Sequence, residues 1–233
     1  MAQDYRELAT TLRGRIDAGE FRQTGKLPTE DQLIEEYQTT RYRVRNAIAV
    51  LAEAGDVFPV RGSGVFVRED REGDYLSIGT TRGISAEYPH RKVTSVVQEL
   101  SLLQADSVLA KRMHCGDQVW RVVRLRQVDG NPLAYETAWY LKEFVPFINE
   151  QIAEGSLFGY ARNDLGLNFG FVDKVLYAGK LEADAARVLG LNEGDPALYL
   201  EDDSFLTNGR LFNSSFIAYH YVNARFFTMT SMR

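Results

Sequence analysis

The sequence predicts an α+β protein in which a small helical domain with a β-hairpin precedes a larger domain built on an antiparallel-rich sheet. Three observations lead to this prediction. Helical apolar patterns near the start of the chain are followed by two short β-type runs around a glycine turn. In the second half, Asp129-Gly130-Asn131 and Asn208-Gly209 separate β-type runs, as hairpin turns do. A polar, charge-mixed stretch over residues 69–74 lies between the halves and is typical of a linker.

Length and composition indicate a globular protein of two domains. The chain has 233 residues, of which 45% are hydrophobic and 25% charged, and its formal net charge is −5. Cys115 is the only cysteine, which excludes an intramolecular disulfide and is typical of a reducing cytoplasm. The sequence contains neither a signal-peptide pattern nor an apolar run that could span a bilayer. We expect a cytoplasmic protein with no membrane partner, divided into domains over residues 1–70 and 76–233 by a linker over residues 71–75.

The first domain is expected to contain three helices. The first is predicted over residues 4–18, where an apolar residue recurs at every fourth position. Thr29 can cap a second helix over residues 30–37, because its hydroxyl can accept from N–H groups that the first turn leaves unpaired. Thr40 can cap a third helix, which Gly55 ends in the manner of a C′ glycine. This spacing predicts a helix-turn-helix.

Arginines of the third helix form a candidate binding surface. The apolar residues of that helix repeat on one face, so Arg41 and Arg45 lie on another face. Arginine donates in a planar fork that suits phosphate oxygens and the edge of guanine. Strands over residues 57–60 and 65–67 are predicted to form a wing with Arg61 at its turn. A solvated helix face is the alternative, but the capped helices and the basic wing tip together favour DNA.

Three segments resemble the DNA-binding domain of the GntR family of bacterial transcription regulators. They are the lead-in Gly25–Glu30, the recognition helix Thr40–Ile48 and the wing Arg61–Val67. The sequence departs from the family at Arg43, where threonine is usual, and at Asp31, where many members carry an arginine that touches phosphate. The resemblance implies a winged helix-turn-helix that binds double-stranded operator DNA. The expected DNA-binding residues are Thr29, Thr39, Thr40, Arg41, Tyr42, Arg43, Arg45, Asn46, Arg61, Gly62 and Ser63.

The second half shows mixed helical and strand patterns. Apolar stripes predict helices over residues 94–103, 147–153, 156–165 and 181–189. β-type runs predict strands over residues 107–113, 119–128, 132–140, 169–177, 197–206 and 211–221.

This half resembles the effector-binding, or UTRA, domain of the HutC-type branch of the same family. Asp129–Glu136 is similar to its hairpin motif, and residues 182–198 are similar to its later helix and strand. The resemblance implies a chorismate-lyase-like fold that is reused to bind a small molecule. Members of the branch respond to sugars, sugar phosphates, amino-acid derivatives, phosphonates or fatty acids. We therefore expect a homodimeric repressor that a small-molecule effector releases from a palindromic operator.

Two features indicate an anionic effector. Thr94, Ser95 and Val96 lie at the start of a predicted helix, where free N–H groups and hydroxyls would attract an anion. Members that bind sugar phosphates use the matching loop in this way. Arg124 and Arg126 alternate along a strand and so share one face, where a phosphate or carboxylate would suit both side chains.

Glu136, on the returning strand, is expected to accept from an effector hydroxyl or amine. An internal salt bridge between Glu136 and the two arginines is the alternative. Ser156, Phe158, Tyr219 and His220 are further candidates for the lining of the site. On the last strand, the acidic residue common in the branch is replaced by residues 213–215, which leaves the effector open. A sugar phosphate is the first expectation, and a neutral sugar, an amino-acid derivative or another small acid is the alternative.

Catalysis and metal binding are not expected. The three histidines lie far apart without cysteine or carboxylate neighbours at ligand spacing. His114 and Cys115 are adjacent in sequence, and on a strand such a pair points to opposite faces and could not form a dyad. We expect no cofactor. The competing interpretation is an enzyme or a small-molecule binder that keeps its helix-turn-helix for protein contacts.

Overall fold

The chain divides into two compact units. The computed structural model describes residues 4–53, 55–68, 75–78, 83–88, 91–113 and 118–228. One unit comprises Met1–Thr80 together with Phe226–Arg233, and the other comprises Thr81–Arg225. The end of the chain therefore belongs by its contacts to the first unit. Of the linker expected over residues 71–75, all but residue 75 lies outside the described residues.

Helices and strands are numbered here in chain order. The helices are α1 (Tyr5–Asp17), α2 (Glu30–Glu36), α3 (Arg41–Glu53), α4 (Ile84–Glu87), α5 (Ser107–Met113), α6 (Glu150–Glu154), α7 (Leu157–Asn163) and α8 (Ala183–Leu189). The strands are β1 (Val57–Val60), β2 (Gly64–Val67), β3 (Leu76–Ser77), β4 (Val93–Gln104), β5 (Gln118–Val128), β6 (Asn131–Leu141), β7 (Phe169–Lys180), β8 (Pro196–Leu206), β9 (Leu211–His220) and β10 (Phe226–Phe227). Among the described residues, no helix is long and apolar enough to cross a membrane.

The first unit is a winged helix. Its three helices meet at a core that includes Leu12, Leu33 and Leu51, all fully buried. The expected cap of α2 is present, because Thr29 Oγ1 accepts from the Gln32 N–H at 3.3 Å and Gln32 Oε1 accepts from the Thr29 N–H at 2.9 Å. Strands β1 and β2 pair in antiparallel register and form the wing. The helices and strands predicted for this half are therefore confirmed.

The second unit is a six-stranded sheet between helices. Its strand order is β4-β5-β6-β9-β8-β7, and every neighbouring pair is antiparallel. Helices α6 and α7 pack on one face through residues such as Ala153 and Leu157. Helix α8 packs on the other face through Ala186 and Leu189 and ends at Gly190, whose φ of 73° is left-handed. The predicted antiparallel-rich α+β architecture is confirmed.

The helix predicted over residues 94–103 is wrong. These residues belong to β4, which pairs along its length with β5. The apolar residues at every third position matched a helical stripe, but β-branched residues cluster at Val93, Thr94, Val96 and Val97 and favour a strand. No helix begins at Thr94, so the anion site expected at a helix N-terminus there does not exist.

The strand predicted over residues 107–113 is also wrong, because this segment forms α5. Asp106 caps the helix: its Oδ1 accepts from the N–H groups of Val108 at 3.0 Å and Leu109 at 2.8 Å. An aspartate before a helix satisfies donors that the first turn leaves unpaired. The local cap therefore outweighs the β-type character of the short apolar run.

Candidate functional site

The exposed face of α3 carries the side chains expected to meet DNA. Val44, Ala47, Ile48 and Leu51 are buried in the core of the first unit, whereas Arg41, Tyr42 and Arg45 are exposed. Tyr42 is 74% exposed. Thr40 Oγ1 accepts from the Arg43 N–H at 3.4 Å, which caps α3 as expected.

Acidic residues of α2 hold two of these arginines. Arg41 Nη2 lies 2.5 Å from Asp31 Oδ1, and Arg45 Nε lies 3.0 Å from Glu30 Oε2. Both arginine side chains are more than half exposed, so these ion pairs contribute little to stability. They do compete with any phosphate that approaches the same guanidinium groups. Asp31, which departs from the family pattern, therefore engages an arginine that the sequence analysis predicted to contact DNA.

The tip of the wing is exposed, and the side chain of Lys26, which the sequence analysis did not include among the DNA-binding residues, lies beside it. Arg61, Gly62 and Ser63 form the exposed turn between the wing strands. Lys26 Nζ donates to the Ser63 carbonyl at 3.1 Å and lies 4.5 Å from the centre of the Phe66 ring. The position of Lys26 in the family lead-in motif could have suggested it.

Other predicted DNA-binding residues also serve the helix-turn-helix itself. Asn46 Nδ2 donates to the Tyr42 carbonyl at 2.9 Å. The hydroxyl of Thr39 is buried and has no hydrogen-bond partner. The Thr29 hydroxyl is engaged in the cap of α2.

In the second unit, one face of the sheet carries a buried polar cluster, defined here as Arg124, Arg126, Glu136, Tyr140, Asp202 and Tyr219. The strand register places them together: Arg124 is opposite Glu136, Ala134 is opposite Tyr219, and Asp202 is opposite Ser215. Side chains two residues apart in a strand share a face, which brings all six to the side that α6 and α7 cover. Polar groups at this depth require partners.

Arg124 is fully engaged within the protein. Its Nη2 and Nε donate to Glu136 Oε2 at 2.7 and 3.1 Å, and its Nη1 donates to the carbonyls of Ala153 at 2.8 Å and Gly155 at 3.2 Å. Burial opposes ionisation of Glu136, but the charges of Arg124 and Arg126 outweigh this effect and lower its pKa. The internal salt bridge that the sequence left open as an alternative is therefore present.

Arg126 differs because part of its guanidinium lacks a partner. Its Nη2 donates to Ser85 Oγ at 3.2 Å, and its Nη1 lies 3.8 Å from Glu136 Oε2. Its Nε is buried without a hydrogen-bond partner, as is the hydroxyl of Tyr140. Burial and the neighbouring charge of Arg124 lower the pKa of Arg126, and burial raises the pKa of Tyr140. These two unpaired groups are suited to a ligand or water.

Asp202 adds an acid that the sequence analysis missed. It lies on β8 opposite Lys174 of β7. Burial raises the pKa of Asp202 to about 6 against the opposing effect of Lys174, and the charge of Glu136 adds to the rise. Its position in Glu201-Asp202-Asp203, within an otherwise apolar run, was a signal that could have identified it. Tyr219 interacts electrostatically with both Glu136 and Asp202, and burial raises its pKa.

Ser85 of α4 was also missed, because a four-residue helix gives almost no periodic pattern. Of the residues expected near Thr94, only Ser95 is opposite Arg126 and shares its face of the sheet. Thr94 and Val96 alternate to the other face.

The remaining predicted lining residues make other contacts. Ser156 is exposed, and its Oγ accepts from the Gly159 N–H at 3.0 Å as the cap of α7. Phe158 packs against Phe169 and Phe212, with ring centres 5.4 and 5.6 Å away. His220, half-buried, is the last residue of β9. The part of the chain that the structure describes holds no group of three or more residues arranged to bind a metal.

Comparisons with known proteins agree with both halves of this architecture. Residues 4–67 match the model of the bacterial regulatory proteins of the gntR family, and residues 89–223 match the UTRA domain. The chain belongs to the GntR family of transcription regulators. Membership of this family implies that the winged helix binds DNA and that the UTRA domain binds a small-molecule effector.

Several regulators are similar along nearly the whole chain. YydK of Bacillus subtilis, named as an HTH-type transcriptional regulator, is 34% identical over 95% of both chains. Its crystal structure matches with a TM-score of 0.85 at 32% identity, covering 97% of this chain and 100% of that one. The MngR repressor of Escherichia coli, named for mannosyl-D-glycerate transport and metabolism, is 25% identical over 95% of this chain and 93% of its own. TreR of B. subtilis is 24% identical over 89% of this chain and 87% of its own.

Proposed function

We propose that this regulator is a homodimeric repressor that a small anionic molecule, with a sugar phosphate as first candidate, releases from a palindromic operator. The observation that carries the effector class is the buried Arg126 guanidinium, whose Nε has no hydrogen-bond partner; the buried Tyr140 hydroxyl on β6 has none either. A buried donor without a partner costs free energy that a ligand oxygen recovers. A phosphate or carboxylate can accept from adjacent guanidinium nitrogens at once.

The hydrogen bonds within the polar cluster support a narrower choice of groups that would touch the effector. Arg124 already has a carboxylate and two carbonyls as partners, so we assign it to positioning Glu136. Arg126, with Ser85 beside it, is the better anion ligand. Asp202 and the hydroxyls of Tyr140 and Tyr219 can bond to hydroxyl groups of the same molecule. Because the Asp202 carboxyl and the two tyrosine hydroxyls can bond to sugar hydroxyls without a phosphate, a neutral sugar is the second candidate effector.

The names of the relatives support a carbohydrate-related repressor. MngR is named as a repressor of a mannosyl-D-glycerate system, and the solved effector-binding domain of TreR is named as that of a trehalose repressor. We propose no enzymatic activity, because both domains are those of transcription regulators. Effector identity in this chain depends on the polar cluster, not on these names.

DNA binding is proposed to occur through α3 and the wing of two protomers. Arg41, Arg45 and Arg61 are exposed there in a chain of net charge −5, so the basic surface is local. Two winged helices related by a two-fold axis would bind half-sites separated by about one helical turn, roughly 34 Å. We assign dimerisation to the effector-binding domain, where β7 forms an edge of the sheet with exposed apolar residues.

Substitution of Arg126 tests the effector site. A duplex selected by the unaltered protein from a random pool serves as the DNA. Glucose 6-phosphate, glucosamine 6-phosphate, inorganic phosphate, glucose and trehalose serve as candidate effectors. Arg126→Ala should bind the duplex within about twofold of the unaltered protein. It should require a roughly 10- to 100-fold higher concentration of the active phosphate compound for release, because charged hydrogen bonds are lost.

The matched control is Arg121→Ala, on the same strand but paired with Glu99 and only partly buried. The Arg121 variant should be released from the duplex at the same effector concentration as the unaltered protein. If the phosphate compound releases the Arg126 variant from the duplex at the normal concentration, the proposed anion site is wrong. Release by glucose or trehalose alone would favour the neutral-sugar alternative.

A further inference from the structure

Residues Phe226 and Phe227, after the effector-binding domain, form a strand in the DNA-binding unit. Strand β10 pairs in parallel with β3, with Phe226 opposite Leu76 and Phe227 opposite Ser77. The Ile78 N–H donates to the Phe227 carbonyl at 3.0 Å. Only residues 221–225 separate β10 from β9, the strand that carries Tyr219. A strand that follows the effector-binding domain in sequence is therefore part of the winged-helix unit by its contacts.

The ring of Phe227 lies against the base of the wing. The guanidinium carbon of Arg68 is 3.7 Å from the centre of this ring, a distance at which a cation is attracted to an aromatic face. A Cβ at Gly55 would lie 3.6 Å from Phe227 Cε1 and 3.4 Å from Arg68 Nη1. These are ordinary van der Waals distances, so Gly55 is favoured by its φ of 78°, with which it ends α3, and the ring and the guanidinium pack directly beside it.

Asp56 connects the same place to the first helix. The Arg68 N–H donates to the Asp56 carbonyl at 3.0 Å. The Asp56 carboxylate accepts from Arg13 Nε of α1 at 2.7 Å. Phe227 therefore contacts the point at which α3 ends, the wing begins and the wing's second strand leaves.

Arg68, Ile78 and Phe227 lie outside the segments that the family models match, which cover residues 4–67 and 89–223. The wing itself has two strands of four residues each, and a two-stranded hairpin of this size is marginal by itself. The lead-in segment bonds to β2, because the Leu27 N–H donates to the Val65 carbonyl and the Val67 N–H donates to the Gly25 carbonyl, each at 2.9 Å. Contacts at the base of the wing add to these bonds.

We propose that Phe227 is a positioning residue for DNA binding: it holds Arg68 and the base of the wing in the orientation that presents the wing to the DNA backbone. Phe227 acts through Arg68 and the main chain around Gly55. The proposal requires no effector, so it stands or falls independently of the effector class proposed above.

The test compares Phe227→Ala with Phe227→Tyr, which keeps the ring, and with Val222→Ala, an exposed position in the connection before β10. The DNA is the duplex selected by the unaltered protein, and affinity is measured from 50 to 200 mM salt. Phe227→Ala should bind about tenfold more weakly and show a shallower dependence on salt, because wing contacts to phosphate are lost. Phe227→Tyr and Val222→Ala should bind within about twofold of the unaltered protein.

Hydrogen exchange provides the readout at the site itself. In Phe227→Ala the amides of Arg68 and Ile78 should exchange faster, while amides in the core of α3 keep their protection. Unchanged affinity, salt dependence and Arg68 exchange in this variant would overturn the proposal. If Phe227→Ala does not fold, Phe227→Leu decides, since it keeps apolar bulk but removes the aromatic face. Full DNA affinity in the leucine variant would equally overturn the proposal.

Discussion

Arg124 and Arg126 are alternate residues of one strand, yet their surroundings give them different roles. Both are buried on the same face, as the alternation in the sequence predicted. Arg124 meets two carbonyls and a carboxylate, whereas the Nε of Arg126 has no partner. The sequence could not separate them, because the carbonyls of Ala153 and Gly155 come from a distant helix and its end.

Asp202 is expected to make stability depend on pH. Its pKa in the folded state, about 6, lies above the ordinary value of 3.8. The folded protein therefore takes up a proton that the unfolded chain does not, and stability from this residue falls as pH rises from about 4 to 6. Lys174 favours the charged form, while Glu136 and Asp203 oppose it.

Asp202→Asn should consequently raise the melting temperature by about 2–4 °C at pH 7.5, where the carboxylate is charged, and change it little at pH 4. Differential scanning calorimetry at the two pH values measures this. Asp173→Asn, at an exposed position of the neighbouring strand, is the control and should follow the unaltered protein. Equal melting temperatures for the Asp202 variant and the unaltered protein at pH 7.5 would contradict the expectation.

At the scale of elements, local signals were sufficient for α2 and α3, whose cap and final glycine the sequence analysis recognised. Thr29 and Gly55 limit α2 and α3 as the sequence predicted. The segments over residues 94–103 and 107–113 were assigned the wrong type. The first is an edge strand whose pairing with β5 overrides a helical apolar spacing, and the second is a short helix capped by Asp106. In both cases a contact outside the apolar pattern decides the element.

The ion pair between α2 and α3 leads to a prediction about affinity for DNA. Asp31 of α2 holds Arg41 of α3 and places a negative charge beside the expected path of phosphate. Asp31→Asn should bind a random-sequence duplex about two- to fivefold more tightly, with a steeper dependence on salt, because one competing anion is removed.

Fluorescence anisotropy across a salt series measures this affinity. Glu35→Gln, an exposed change on the same helix, serves as the control for general loss of negative charge. If the Glu35 variant gains as much affinity as the Asp31 variant, the effect is one of net charge and not of the Asp31–Arg41 pair.

At the scale of the whole molecule, the proposed dimer depends on one edge of the six-stranded sheet. Strand β7 has one strand neighbour, β8, and its exposed large apolar residues are Phe171, Val175, Leu176 and Tyr177. An exposed apolar edge strand is a template for pairing with another chain. This is the edge to which we assign the proposed dimer.

Val175→Lys, at a position that is 58% exposed, should convert the dimer to a monomer and weaken binding to a palindromic duplex at least about tenfold. Light scattering after size-exclusion chromatography gives the mass. Val96→Lys, on the opposite edge strand β4, should remain dimeric. A monomer from the Val96 variant, with an intact dimer from the Val175 variant, would assign the interface to β4.

The sequence by itself determined the winged helix, the antiparallel-rich second domain and the pairing of Arg124 with Glu136 as one of two alternatives. These follow from caps, glycine turns and alternation, which act between residues close in the chain or across one hairpin. The tertiary structure decided that Arg124 is satisfied and Arg126 is not, that Asp202 and Ser85 join them, and that Phe227 reaches Gly55. Those contacts join residues far apart in sequence, so a local pattern of apolar residues cannot predict them.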